Sequence, residues 1–220
     1  MCAEFFLHFI PQKKIKHMKI ICIGRNYADH AKEMNSAVPE VPMFFMKADI
    51  SLLRPGTPFF YPNFSNDIHY ECEVVVKIDR VGKNIAERFA HKYYSEIGLG
   101  IDFTARDLQA ECKKKGHPWE IAKSFEGSAA IGKNFIPVEG LDVDKLQFSM
   151  NQNGEEVQNG STSDMIFTIH QLISYISKFM TLKKGDLIYT GTPAGVGPIA
   201  IGDELKGFIG DQEMFRVLVK

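Results

Sequence analysis

The run Ile68–Ile78 constrains this chain more than any other stretch, because it reads as the longest strand in the sequence. Strand side chains alternate with period two, so Ile68, Tyr70, Cys72, Val74 and Val76 share one face while His69, Glu71 and Glu73 share the other. Glutamate is a poor strand former. Two carboxylates about 7 Å apart on one face also repel, by roughly 2 kcal/mol at an effective dielectric of ~20. Two readings of that face are open. It is a solvated strand edge, or it presents a pair of hard oxygen ligands to a divalent cation, which turns the repulsion into attraction.

Other strands surround this one. Lys19–Ile23 is an apolar run ending at Gly24, Met43–Met46 is a short strand, and Pro55-Gly56-Thr57-Pro58 is a turn. Tyr27–Met34 makes two helical turns. Ile97–Phe103 is a strand passing into a helix from Thr104 to about Lys115, with Thr104 as N-cap and Asp107 three residues on. Asn153-Gly154, between Gln147–Gln152 and Glu155–Gln158, is a hairpin signal. Ile166, Ile169, Leu172, Ile173, Ile176 and Met180 have helical spacing and predict a helix over 166–180. Leu187–Thr190, Glu204–Ile209 and Met214–Val219 are late strands. Many strands, few helices and no regular βαβ alternation predict a strand-rich α+β domain with a mixed or antiparallel sheet. The 220 residues suit one domain. Residues 1–17 are expected to be an N-terminal extension or an upstream start, because their short apolar stretch precedes the basic residues and Pro11 breaks it. Residues 18–220 are expected to form the single domain.

Several polar groups stand where chemistry could sit. Asp102 ends an apolar run at a strand-to-helix junction, and Arg106 and Gln109 share a helix face beyond it; the alternative is a surface helix with a weak ion pair. Gly24-Arg25-Asn26-Tyr27 ends a buried strand, and on the helix that follows His30 and Glu33 are i, i+3 neighbours. A carboxylate beside an imidazole orients it and raises its basicity, making a general base; the alternative is an incidental surface pair. Lys123 lies in the mostly apolar segment Lys123-Ser124-Phe125-Glu126-Gly127, and Thr190-Gly191-Thr192-Pro193-Ala194-Gly195 is a loop whose glycines allow close backbone approach. Lys113-Lys114-Lys115 reads as a solvated helix end, and Trp119 as a core or interface residue.

Lys plus Arg is 26 and Asp plus Glu is 27, so the formal net charge is −1. That balance argues against a dedicated nucleic-acid binder. No apolar run reaches the ~20 residues needed to cross a bilayer. The cysteines Cys2, Cys22, Cys72 and Cys112 show no zinc or redox spacing and fit a reducing, cytoplasmic setting.

Five segments taken in order, GRNYADHAKE (24–33), HYECEVVV (69–76), DFTARDLQ (102–109), KSFEGSAAIG (123–132) and TGTPAGVG (190–197), resemble the fumarylacetoacetate hydrolase family, and in particular its small single-domain members of the acylpyruvate hydrolase and oxaloacetate decarboxylase type. The resemblance runs from about Met18 to Lys220. It implies a mixed β-sheet roll, usually in a homodimer, around a site for Mg²⁺ or Mn²⁺ held by Glu71, Glu73 and Asp102. It implies an acid–base dyad of His30 and Glu33, substrate contacts at Arg106, Gln109, Lys123 and Thr192, with Arg25 alongside, and a catalytic part for Lys123. The implied activity is cleavage of C–C bonds in small 2-oxo or 1,3-diketo acids, by acylpyruvate hydrolysis or oxaloacetate decarboxylation, through a metal-stabilised enolate. The same site would suit an isomerase or decarboxylase of 2-hydroxy-dienedioates. A non-catalytic module that captures metal–carboxylate complexes is the reading from another class, although it has no use for the His30–Glu33 pair.

Overall fold

The computed structural model describes residues 18–34 and 37–220, so the expected extension at 1–17 lies outside the described residues. In chain order the strands are β1 (Ile20–Gly24), β2 (Met43–Lys47), β3 (Leu52–Leu53), β4 (Ile68–Tyr70), β5 (Cys72–Ile78), β6 (Tyr94–Asp102), β7 (Thr104–Ala105), β8 (Ala129–Ile131), β9 (Ile136–Pro137), β10 (Gln147–Gln152), β11 (Glu155–Ser161), β12 (Leu187–Tyr189), β13 (Gly197–Pro198), β14 (Glu204–Ile209) and β15 (Gln212–Leu218). The helices are α1 (Ala28–Glu33), α2 (Arg106–Lys115), α3 (Glu120–Lys123) and α4 (Ile169–Phe179).

The strands form three sheets. The largest runs β2-β1-β12-β5-β6-β8-β3, with β9 also paired to β6. It is mixed: β1 with β12 and β3 with β8 are parallel, and the other pairs are antiparallel. A four-stranded antiparallel sheet, β11-β10-β14-β15, packs β10 on β5 and β14 and β15 on β6. The third sheet is the small β13-β4-β7. This is the strand-rich α+β architecture that the sequence predicts.

The principal core lies between the large sheet, the four-stranded sheet and α4. Ile68, Tyr70, Cys72, Val74 and Val76 all enter it, as the alternation requires, whereas Val75 enters a smaller cluster on the opposite face with Ile20, Cys22 and Tyr189. The expected hairpin turns at Asn153 (φ 55°) and Gly154 (φ 90°), the pair of positive angles that a type I′ turn needs.

Three expectations change. The run Ile68–Ile78 is not one strand: it breaks at Glu71, and β4 pairs with β7 and β13 while β5 joins the large sheet. Thr104 is not the N-cap of α2. It pairs with His69 as part of β7, and Ala105 stands at the helix start with no side-chain cap. The 166–180 helix begins only at Ile169, because Thr168 and Gln171 form a capping box there; Ile166 instead donates its backbone N–H to Asn26 O.

Candidate active site

The break at Glu71 builds the site. With β4 and β5 in different sheets, Glu71 sits at the seam, where its carbonyl accepts the N–H of Asp102 at 2.8 Å. Glu73 lies opposite Gly100 on β6, and Asp102 is the last residue of β6. Glu71 is 6%, Glu73 1% and Asp102 1% exposed, which excludes the solvated-edge reading. One carboxylate oxygen from each falls within 4.8 Å of the others.

Three buried or half-buried cations surround these acids. Lys123, at the end of α3, donates to Glu71 Oε2 (2.8 Å), Asp102 Oδ2 (2.9 Å) and Thr104 Oγ1 (2.5 Å). Arg106, at the start of α2, donates from Nη2 to Glu71 Oε1 (2.7 Å) and from Nη1 to Gln109 Oε1 (2.8 Å). Lys47, at the end of β2, donates to Phe103 O and Ser128 O and stands 2.7 Å from Asp102 Oδ1. That last approach lacks hydrogen-bond geometry, so Asp102 Oδ1 is buried and unsatisfied.

The charges settle unequally. Burial pushes the Glu71 carboxyl up, but the Lys123 ammonium and Arg106 guanidinium outweigh it and hold Glu71 far below the usual carboxylate range. Burial, followed by the carboxylates of Asp102 and Glu71, pushes Glu73 well above that range, and the Gly191 N–H donated to its Oε2 at 2.7 Å offsets only part of this. Among the described residues, Glu73 alone of the three has no cationic partner, and Asp102 Oδ1 beside it accepts no hydrogen bond. The donor set is all hard oxygen, so the arrangement fits a divalent cation of the Mg²⁺ class.

A small open cleft sits over the acids. Glu71, Glu73, Arg25, His30, Arg106, Gln109, Lys123 and Thr192 line it. Asp102 and Glu33 do not; each reaches it through a bonded neighbour, Lys123 and His30. His30 Nδ1 lies 3.2 Å from Glu33 Oε2, and Glu33 is itself held by the Gly195 N–H. The glycine loop therefore anchors the His30–Glu33 pair. Thr192 Oγ1 accepts from Gln158 Nε2 at 2.8 Å, and Gln158 Oε1 accepts from Cys72 N–H at 2.9 Å, which locks the loop to β5.

The family profile described as fumarylacetoacetate (FAA) hydrolase C-terminal matches residues 19–219. The chain belongs to the fumarylacetoacetate hydrolase family. The mitochondrial oxaloacetate tautomerase FAHD1 of Mus musculus is 45% identical over 202 residues, covering 91% of this chain and 91% of that one. Oxaloacetate tautomerase YcgM of Escherichia coli is 43% identical over 85% of this chain and 86% of its own. Among solved structures, fumarylpyruvate hydrolase from Pseudomonas aeruginosa in complex with Mn²⁺ and pyruvate superposes with a TM-score of 0.86 at 33% identity, covering 92% of this chain and 89% of that one.

Sequence reasoning missed Lys47, Gln158, Lys113 and Trp119. Lys47 ends a strand pattern, Met43–Lys47, in which a lysine reads as solvated. Gln158 is hidden in a hairpin arm. Lys113 and Trp119 line the cavity, although the first reads as part of a solvated lysine run and the second as core.

Proposed function

We propose that this protein is a divalent-metal-dependent enzyme of small 2-oxo acids that moves protons and cleaves C–C bonds beside the keto group, with oxaloacetate and acylpyruvates as its substrate class. The observation that carries this reading is one cavity shared by the buried Glu71–Glu73–Asp102 cluster and the His30–Glu33 dyad. The names of the relatives, oxaloacetate tautomerase and fumarylpyruvate hydrolase, support it.

Glu71, Glu73 and Asp102 would hold Mg²⁺ or Mn²⁺. Bound there, the cation would supply Lewis-acid stabilisation of negative charge as it develops on a keto oxygen. The protein's own groups do the rest. Glu33 accepts the Nδ1–H of His30, which leaves Nε2 as the proton acceptor. From there it takes a proton from water for hydrolysis of an acylpyruvate, or from the carbon next to the ketone for keto–enol exchange, typically worth 10²–10⁴-fold. Arg106, which keeps a buried Nε–H without a partner, and Lys123 supply cationic donors for a substrate carboxylate, and Thr192 can donate its hydroxyl proton. Lys47, Lys123 and Arg106 balance the three acids, so a bound dication leaves an excess of positive charge that a substrate carboxylate offsets.

The test is turnover of acetylpyruvate, fumarylpyruvate and oxaloacetate by protein loaded with Mg²⁺ or Mn²⁺, against protein treated with chelator. Metal-dependent turnover of at least one is expected. No turnover of any by loaded protein would leave a binding module.

A further inference from the structure

The cations that line the cavity fall into two sets. Lys123 and Arg106 are committed to carboxylates. Arg25 and Lys113 are different. They line the same cavity, and among the described residues neither makes a hydrogen bond or ion pair; the one contact of this kind is the Lys113 ammonium over the Trp119 ring, 5.6 Å from its centroid. Arg25 is further held at φ 58°, a backbone conformation that residues with side chains seldom adopt. Partial burial, followed by the charges of Arg106 and Arg25, lowers the Lys113 pKa, and the Glu71 carboxylate, already paired with Arg106, offsets only part of this. Such repulsion is relieved when an anion arrives.

We propose that Arg25 and Lys113 form a second anion subsite, walled by Trp119, that takes the distal carboxylate of a dicarboxylate 2-oxo acid and so selects dicarboxylates over monocarboxylates of the same length. This rests on the proposed function, in which the first carboxylate and the keto group occupy the inner site. The inner cations are satisfied by the protein's own acids and, in that reading, by the first carboxylate. A monocarboxylate leaves the outer pair uncompensated, and a dicarboxylate does not. Trp119, as the single tryptophan of the chain, reports occupancy, because a carboxylate at Lys113 draws the ammonium off the indole face.

The test is equilibrium titration of Mg²⁺-loaded protein with 2-oxoglutarate and with 2-oxopentanoate, read by Trp119 fluorescence and by calorimetry. The two ligands match in chain length and differ by one terminal carboxylate, and neither carries the carboxylate that oxaloacetate loses. Wild type is expected to prefer 2-oxoglutarate. Lys113→Met is expected to cut that preference about tenfold, Arg25→Met to do the same, and Lys113→Arg to keep most of it. An unchanged preference in Lys113→Met, or equal weakening of both ligands, overturns the subsite. Wild type that binds neither ligand overturns the functional reading beneath it, a different result from binding without preference.

Discussion

Glu71 and Glu73 stand two residues apart, yet their surroundings pull their protons in opposite directions. The folded pKa of Glu71 is depressed, so its contribution to stability is present above the unfolded value of about 4.3 and is lost as pH falls through the folded value. The folded pKa of Glu73 is raised, so its contribution is present below about 4.3 and is lost as pH rises through the folded value. A dication must displace the Glu73 proton, and its stabilising effect therefore grows with pH. The gain in Tm on adding Mn²⁺ is expected to be larger at pH 8 than at pH 5.5; equal gains would contradict this origin. Lys123→Met leaves Glu71 and Asp102 buried and short of a partner, a loss of about 3–5 kcal/mol, which thermal unfolding should register as a large fall in Tm. His30→Ala touches none of these pairs. It should lower acylpyruvate turnover by roughly 10²–10⁴-fold with little change in Tm. At this scale the acid pair is legible in the sequence, since glutamates in an apolar strand violate ordinary patterning, whereas a His–Glu pair at i, i+3 is ordinary helix spacing and gains weight only from the family resemblance. Lys47 is not legible. A lysine at a strand end satisfies every local rule, and only the distant Asp102 makes it part of the site.

The elements act by placing backbone where the acids need it. Gly191 follows β12 with φ 100° and donates its N–H to Glu73; a Cβ there would stand 2.7 Å from the Cβ of the buried Asn26. Asn26 in turn donates its side-chain amide to Thr190 O and Phe167 O, tying the exits of β1 and β12 together. Gly191→Ala is expected to cost about 1–3 kcal/mol, read as a lower Tm, and to weaken Mn²⁺ binding because the shift that relieves the Cβ clash moves the backbone N–H away from Glu73. Unchanged Mn²⁺ affinity with a lowered Tm would confine the glycine to folding. The hairpin at Asn153-Gly154 and the apolar stripe of α4 are legible because their signals are local. The break between β4 and β5 is not. Both halves alternate in phase, and what separates them is pairing with β7 and β13, which lie far along the chain. Thr104 misleads for the same reason: its strand pairing with His69 overrides a helix-start pattern.

Over the whole molecule, a net charge of −1 conceals a local excess of cations around one cavity, which draws an anionic substrate in without making the surface basic. Strand content is legible in the sequence, but the division into three sheets is not, because the order of strands is set by partners remote in sequence. β2 is an edge strand, and Met46 on it and Phe179 on α4 are exposed, with Phe179 packed on Phe44. The family resemblance implies a homodimer. Sedimentation is expected to give twice 24.8 kDa, and a monomer at assay concentration would remove the dimer from the account. The central claim is that three carboxylates converge on one dication, and anomalous diffraction from a Mn²⁺-soaked crystal tests it most directly. One peak is expected with an oxygen of Glu71, Glu73 and Asp102 each about 2 Å away. No peak among them, with the acids still held by Lys47, Lys123 and Arg106, would contradict it.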